Sequence, residues 1–155
     1  MGKEHHLVGE KFPDFNLDTS HGKSLKMDYL LGKWSVFFFY PKDDSPGCTV
    51  QSCRFRDDFS EYEKLRVQLF GVSSNSVGSH QRFAEKHSLP FPLIADAKGH
   101  LRTELKIPMS MGFLPGRATF IVDDEGIIRM VYISQLRFKQ HSKMALDYLR
   151  DNISP

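Results

Sequence analysis

The segment Trp34-Ser-Val-Phe-Phe-Phe-Tyr40, stopped by Pro41 and followed by the turn-rich Lys42–Gly47, constrains this chain more than any other feature. A run this short, apolar and aromatic predicts a strand buried on both faces. Proline has no N–H for a strand ladder, so the strand ends at Pro41. After the loop, Cys48 to Arg66 reads as one helix. At 100° per residue, Phe55, Phe59 and Tyr62 fall within about 40° of Cys48 and form its inner face with it.

The remainder completes an α/β pattern. The first 30 or so residues read as a hairpin-like lead-in anchored by Phe12, Phe15 and Leu17, with a turn over Asp18–Lys23. Val67–Ser73 reads as a second buried strand, and Ser76–His87 as a helix with Ser76 or Ser79 at its N-cap. Phe91–Asp96 is strand-like, Lys98–Lys106 a short helix and Pro108–Gly116 a loop. Thr119–Asp123 and Ile127–Ile133 flank the hairpin turn Asp124-Glu-Gly126, and Phe138–Asn152 closes the chain as a helix. Crossovers combined with one hairpin imply a mixed central β-sheet flanked by helices. The 155 residues suit one domain spanning 1–155.

Composition removes several classes of function. The longest apolar run is far below the roughly 20 residues of a membrane helix. No basic segment followed by an apolar one opens the chain, so no secretory signal is expected. A formal charge of +2 without a basic block gives no reason to expect nucleic acid as a partner. Two cysteines are too few for a disulfide scaffold or a Cys-rich zinc site. The seven histidines show no metal-binding spacing, and His80 reads as part of a helix start. Gly22-Lys23-Ser24 lacks the upstream glycine of a phosphate loop, since position 17 is leucine. Asp123-Asp-Glu125 reads as a solvated turn.

Cys48 stands in the first turn of its helix, where unpaired N–H groups and the helix dipole favour a thiolate. Pro46 and Gly47 shape the loop, and the Ser45 hydroxyl reaches the same region. From spacing alone, Cys48 is either an activated nucleophile or a small core residue, and Cys53 either its partner or an idle thiol. Five residues along an intact helix give a rise of about 7.5 Å and a rotation of about 140°. A disulfide needs Cα atoms about 4.4–6.8 Å apart, so a Cys48–Cys53 bond would require the first turns to unwind.

Pro41-x-x-x-Ser45-x-x-Cys48 resembles the peroxiredoxin active-site signature, and a cysteine five positions later resembles the peroxiredoxin Q, or bacterioferritin comigratory protein, subfamily. The likeness extends to Gly9-x-x-x-Pro13-Asp-Phe15, Phe39–Thr49, Phe55-Arg-Asp57, Ser79-His80-x-x-Phe83-Ala84, Leu89-Pro90 and Leu114-Pro-Gly-Arg117-x-Thr-Phe120. Ser45 replaces the commoner threonine, and Gln51 stands where many bacterial members have glutamate, as in plant-like members.

The resemblance implies a thioredoxin-like fold and a thiol-dependent peroxidase of antioxidant function that needs no metal or cofactor. It implies Cys48 as the peroxidatic nucleophile and Cys53 as the resolving thiol of an intramolecular disulfide. It implies that Ser45 and the Cys48 backbone N–H bind the peroxide oxygens, that Arg117 meets the charge developing on the departing oxygen, and that Pro41 shapes and shields the pocket. Hydrogen peroxide or an organic hydroperoxide would be the substrate, and thioredoxin the reductant. The same reading implies a monomer in the cytoplasm, or in the plastid if a transit peptide was removed. A disulfide oxidoreductase is the second reading, although such enzymes usually carry Cys-x-x-Cys. A binding module with structural thiols is the third.

Overall fold

The computed structural model describes residues 5–110 and 114–153. The chain opens with a hairpin, β1 (Asn16–Asp18) and β2 (Ser24–Lys26), then enters the central strand β3 (Ser35–Phe39). Helices α1 (Pro46–Asp57) and α2 (Phe59–Lys64) lead to β4 (Gln68–Ser73), and α3 (Val77–His87) leads to β5 (Leu93–Ala95). Helix α4 (His100–Glu104) precedes two short paired strands, β6 (Met109–Ser110) and β7 (Leu114–Pro115). Strands β8 (Ala118–Val122) and β9 (Ile128–Ile133) form the second main hairpin, and α5 (Gln140–Asn152) follows. The five-stranded sheet has the order β5-β4-β3-β8-β9. β3 pairs parallel with β4 and antiparallel with β8, which makes the mixed sheet expected from the sequence.

β3 is buried along its whole length because both of its faces are covered. Phe37 and Phe39 join Phe12, Phe15, Phe70 and Phe120 on one side, while Val36, Phe38 and Tyr40 join Phe55, Tyr62 and Phe91 on the other. The period-2 alternation of side chains sends neighbouring phenylalanines to opposite layers. Phe38 stacks on Phe55 at 4.1 Å between ring centroids, which fastens α1 to the strand it follows. Each such ring contributes roughly 1.5–3 kcal/mol by leaving water.

Three local expectations change. The single helix over Cys48–Arg66 is divided at Asp58, and it starts earlier, at Pro46, which takes the first helical turn where its missing N–H costs nothing. Asp58 accepts from Arg54 Nε at 2.9 Å and from the Ser142 hydroxyl of α5 at 2.7 Å, so the break is where the helical segment is tied to α5. The Pro108–Gly116 loop contains the β6–β7 pair. Asp123 is buried rather than solvated: its carboxylate accepts from the Glu125 and Ile127 amides and from Arg129, and so builds the β8–β9 turn.

His141 couples the fold to pH. Its Nε2 donates to the Ser134 carbonyl and its Nδ1 pairs with the Thr119 hydroxyl, both at 2.8 Å, an arrangement that the neutral ring satisfies with Thr119 as donor. Burial is the main cause that brings its pKa down to about 4, with Arg117 adding to the drop and the Ser134 bond opposing it. The folded pKa lies below the unfolded value, so the full stability is present above about pH 6.5 and is lost as the pH falls toward 4. The expected loss is about 3 kcal/mol. Urea unfolding at pH 7.5 and pH 4.5 measures it, and His141→Gln should flatten the difference; an unchanged pH dependence in that variant would remove His141 as its source.

Candidate active site

The site lies where β3 ends, and strand register assembles it. Phe39 pairs with Ala118 in the antiparallel β3–β8 ladder. Arg117, one residue before Ala118, is therefore set beside the loop that leaves β3 and beside the start of α1. A one-residue slip would turn the phenylalanines of β3 to the wrong layers, so the hydrophobic pattern also fixes the place of the arginine.

Arg117 is buried, and every bond on it has a direction. Its Nη1 donates to Cys48 Sγ at 3.1 Å and to Gln51 Oε1 at 2.9 Å. Its Nε donates to the Gln135 carbonyl at 3.0 Å, and its backbone N–H to the Gln135 side chain at 3.1 Å. The guanidinium lies 4.7 Å from the centre of the Phe138 ring. Its Nη2 has no hydrogen-bond partner among the described residues. Gly47 permits this closeness: a Cβ there would stand 2.7 Å from both Arg117 Nη2 and the Phe138 ring.

Cys48 is fully buried, unbonded to another cysteine and in the first turn of α1. A second donor, the Lys42 amide, points at its sulfur from 3.5 Å. The Gly47 and Cys48 amides have no partner among the described residues, because the Ser45 hydroxyl turns back to the Lys42 carbonyl instead of capping the helix. Pro41 is half-buried at the head of this loop. Asp44 holds φ at +64°, a left-handed backbone that costs a non-glycine residue about 1 kcal/mol. The groups around the sulfur are thus donors and a fixed positive charge, which suit a thiolate and an anion developing beside it.

Cys53 sits on the same helix, half-buried. Burial pushes its thiol up, the Asp57 charge adds to this, and Arg56 opposes it. The structure therefore brings Cys48, Arg117, Ser45 and Pro41 to one place, while Cys53 is separated from Cys48 by intact helix.

Sequence reasoning did not find Gln135, Phe138 or Arg102. Gln135 and Phe138 come from the segment before α5 and carry no motif. Arg102 donates to the Gly116 carbonyl at 2.8 Å and to the Tyr40 carbonyl at 3.4 Å, joining the ends of both segments that carry the site. A cavity of about 410 Å³ lined by Val50, Leu136, Arg137, Phe138, Lys139 and Gln140 flanks the site. A smaller one of about 150 Å³ reaches Arg117 itself, between Pro108, Met109, Gly116, Ile133 and Gln135.

The AhpC/TSA family model matches residues 8–131. A chloroplastic peroxiredoxin Q of Populus jackii is 36% identical over 143 residues, covering 92% of this chain and 67% of the relative. The chain spans about two thirds of the length of the plant relatives it matches. Among solved structures, the peroxidoxin BcpB of Mycobacterium tuberculosis superposes with a TM-score of 0.87 at 31% identity, covering 97% of this chain and all of that one. A Xanthomonas campestris bacterioferritin comigratory protein, whose structure is described with its alkyl peroxide reduction activity, superposes with a TM-score of 0.83 at 25% identity and covers 96% of each chain.

Proposed function

The chain belongs to the AhpC/TSA family and, within it, to the peroxiredoxin Q group of thiol-dependent peroxidases, and from that premise we propose that Cys48 is its peroxidatic thiol, acting with Arg117. The observation that carries this reading is the 3.1 Å contact between Arg117 Nη1 and Cys48 Sγ in a pocket of hydrogen-bond donors.

In this mechanism the Cys48 thiolate attacks one oxygen of the hydroperoxide. An S–O bond forms and the O–O bond breaks. The electron pair leaves on the second oxygen, which takes a proton and departs as water or an alcohol. Sulfur is oxidised by two electrons to a sulfenic acid. Arg117 Nη2 and the Gly47 and Cys48 amides are donors for the peroxide oxygens as charge moves across them. Ser45 and Pro41 hold the loop shape around the substrate.

Cys53 then attacks the Cys48 sulfur and water leaves, closing an intramolecular disulfide. The turns between the two residues must unwind for this step. Unwinding also exposes Cys53 and lifts the burial that disfavours its thiolate. A dithiol protein of the thioredoxin type restores both thiols by exchange. Because the resolving thiol is in the same helix, one copy of the chain, a single thioredoxin-like domain, completes the cycle. Hydrogen peroxide and organic hydroperoxides are the substrates, a reading supported by the alkyl peroxide reduction activity of the similar Xanthomonas protein. A plastid location is favoured by the chloroplastic relatives.

Intact mass and free-thiol count after one equivalent of hydrogen peroxide test the scheme. The parent should lose both thiols and about two mass units. Cys53→Ser should gain about 16 mass units as a sulfenic acid at Cys48 and stop after one turnover. Normal thioredoxin-coupled turnover in Cys53→Ser would remove Cys53 as the resolving thiol, and two surviving thiols in the parent would remove the peroxidase mechanism.

A further inference from the structure

Beside the reacting groups lies a buried charged cluster that takes no part in the chemistry at Cys48. Parallel pairing sets Phe39 opposite Val72, so β3 and β4 end side by side. The loop after β3 therefore meets the loop and helix start after β4. Asp43 and His80 are both buried there. The Asp43 carboxylate accepts from the Tyr40 hydroxyl at 2.6 Å through Oδ1, and from the Ser79 hydroxyl at 2.8 Å through Oδ2. His80 Nδ1 stands 2.8 Å from the same Oδ2, and its Nε2 stands 3.1 Å from the Ile94 carbonyl. A carbonyl oxygen and a carboxylate only accept, so both ring nitrogens must donate and His80 carries the positive charge of an ion pair. His141 differs, since its Nδ1 has a hydroxyl to accept from.

Burial pushes the Asp43 carboxyl up, and the donors from His80, Tyr40 and Ser79 outweigh it and bring it below the usual carboxylate value. The backbone is fixed as well: the Asp43 amide donates to Asn75 Oδ1 at 3.0 Å. One residue before this anchor is the Lys42 amide that points at Cys48 Sγ.

We propose that the Asp43–His80 ion pair is a positioning device for the peroxidase reaction, anchoring the loop after β3 to α3 so that the Lys42 N–H stays directed at the Cys48 sulfur. The inference rests on Cys48 being the peroxidatic thiol. Neither Asp43 nor His80 touches the reacting atoms; they act through the Lys42 amide. Side chains committed on every polar atom hold a loop more firmly than backbone turns alone.

The test combines hydrogen exchange of the Lys42 amide, which needs no activity, with the second-order rate constant for Cys48 oxidation by hydrogen peroxide. Asp43→Asn keeps the side-chain volume but turns the oxygen that faces the Ser79 and His80 donors into a donor itself, or else turns away the oxygen that accepts from Tyr40. In Asp43→Asn and in His80→Ala, Lys42 exchange should become at least tenfold faster and oxidation at least tenfold slower, with protection of the β4 and β8 core amides unchanged. His80→Gln, which keeps a donor toward Asp43, should recover most of both losses. If His80→Ala does not fold, Asp43→Asn decides the matter alone. Folded Asp43→Asn with both readouts within twofold of the parent overturns the proposal. So does exchange that accelerates equally throughout the sheet, which is loss of structure and not of positioning. A parent whose Cys48 does not react with peroxide at all would instead overturn the peroxidatic assignment, leaving the exchange result to stand by itself.

Discussion

Cys48→Ser is expected to lower the rate constant for peroxide reduction by at least about 10⁴-fold, the order of loss that follows deletion of a catalytic nucleophile. The surroundings of the sulfur give the reason. Arg117 Nη1 and the Lys42 amide both donate toward it, and Gln51 Oε1 accepts from the arginine. This arrangement stabilises an anion that a thiol forms readily and a hydroxyl does not. A serine would need a base to remove its proton, and no base contacts the sulfur among the described residues. The fold should survive, because the serine Oγ can accept from the same Arg117 donor. Peroxide consumption measured beside a circular dichroism melt checks both halves of the statement. Full peroxide reduction by a folded Cys48→Ser protein would mean that the chemistry lies elsewhere.

Arg117→Ala should slow oxidation of Cys48 by about 10²- to 10³-fold, the usual consequence of removing a preorganised donor to a developing anion. It also leaves the buried Gln51 Oε1 without its donor, at a cost to stability of about 1–3 kcal/mol, and frees the half-buried Gln135 carbonyl. Arg117→Lys separates the two effects. Lysine keeps the charge and lacks the planar fork that serves Cys48, Gln51 and Gln135 at once. It should recover part of the loss and remain at least about tenfold slower than the parent. Single-turnover kinetics in the absence of reductant measure this directly. An unchanged rate constant in Arg117→Ala would remove the residue from the reaction.

The chain's local patterns carry a good part of this design. The aromatic run after Trp34 and the proline that stops it define the central strand. The Pro46-Gly-Cys48 sequence opens α1, with Cys48 and Phe55 on its buried face, as the 3.6-residue period requires. Ser76 is legible as the N-cap of α3, where its hydroxyl accepts from the Ser79 amide. The incompatibility of a Cys48–Cys53 bond with an intact helix also follows from helical rise alone.

Other features depend on parts of the chain that no local pattern relates. The break at Asp58 arises where Ser142, 84 positions away, donates to its carboxylate. Gln135 and Phe138 hold Arg117 only because β9 runs back along β8 and delivers the following segment to the site. Asp43 and His80, 37 positions apart, form a pair because β3 and β4 are parallel and end together. Nothing in the sequence around either residue states that the other is near. Periodicity, turn chemistry and helix-start residues act over a few positions, so the sequence by itself determined the elements and the cysteine's place at a helix start. Strand register and direction act over the whole sheet, and only they decided which charges and donors surround the sulfur.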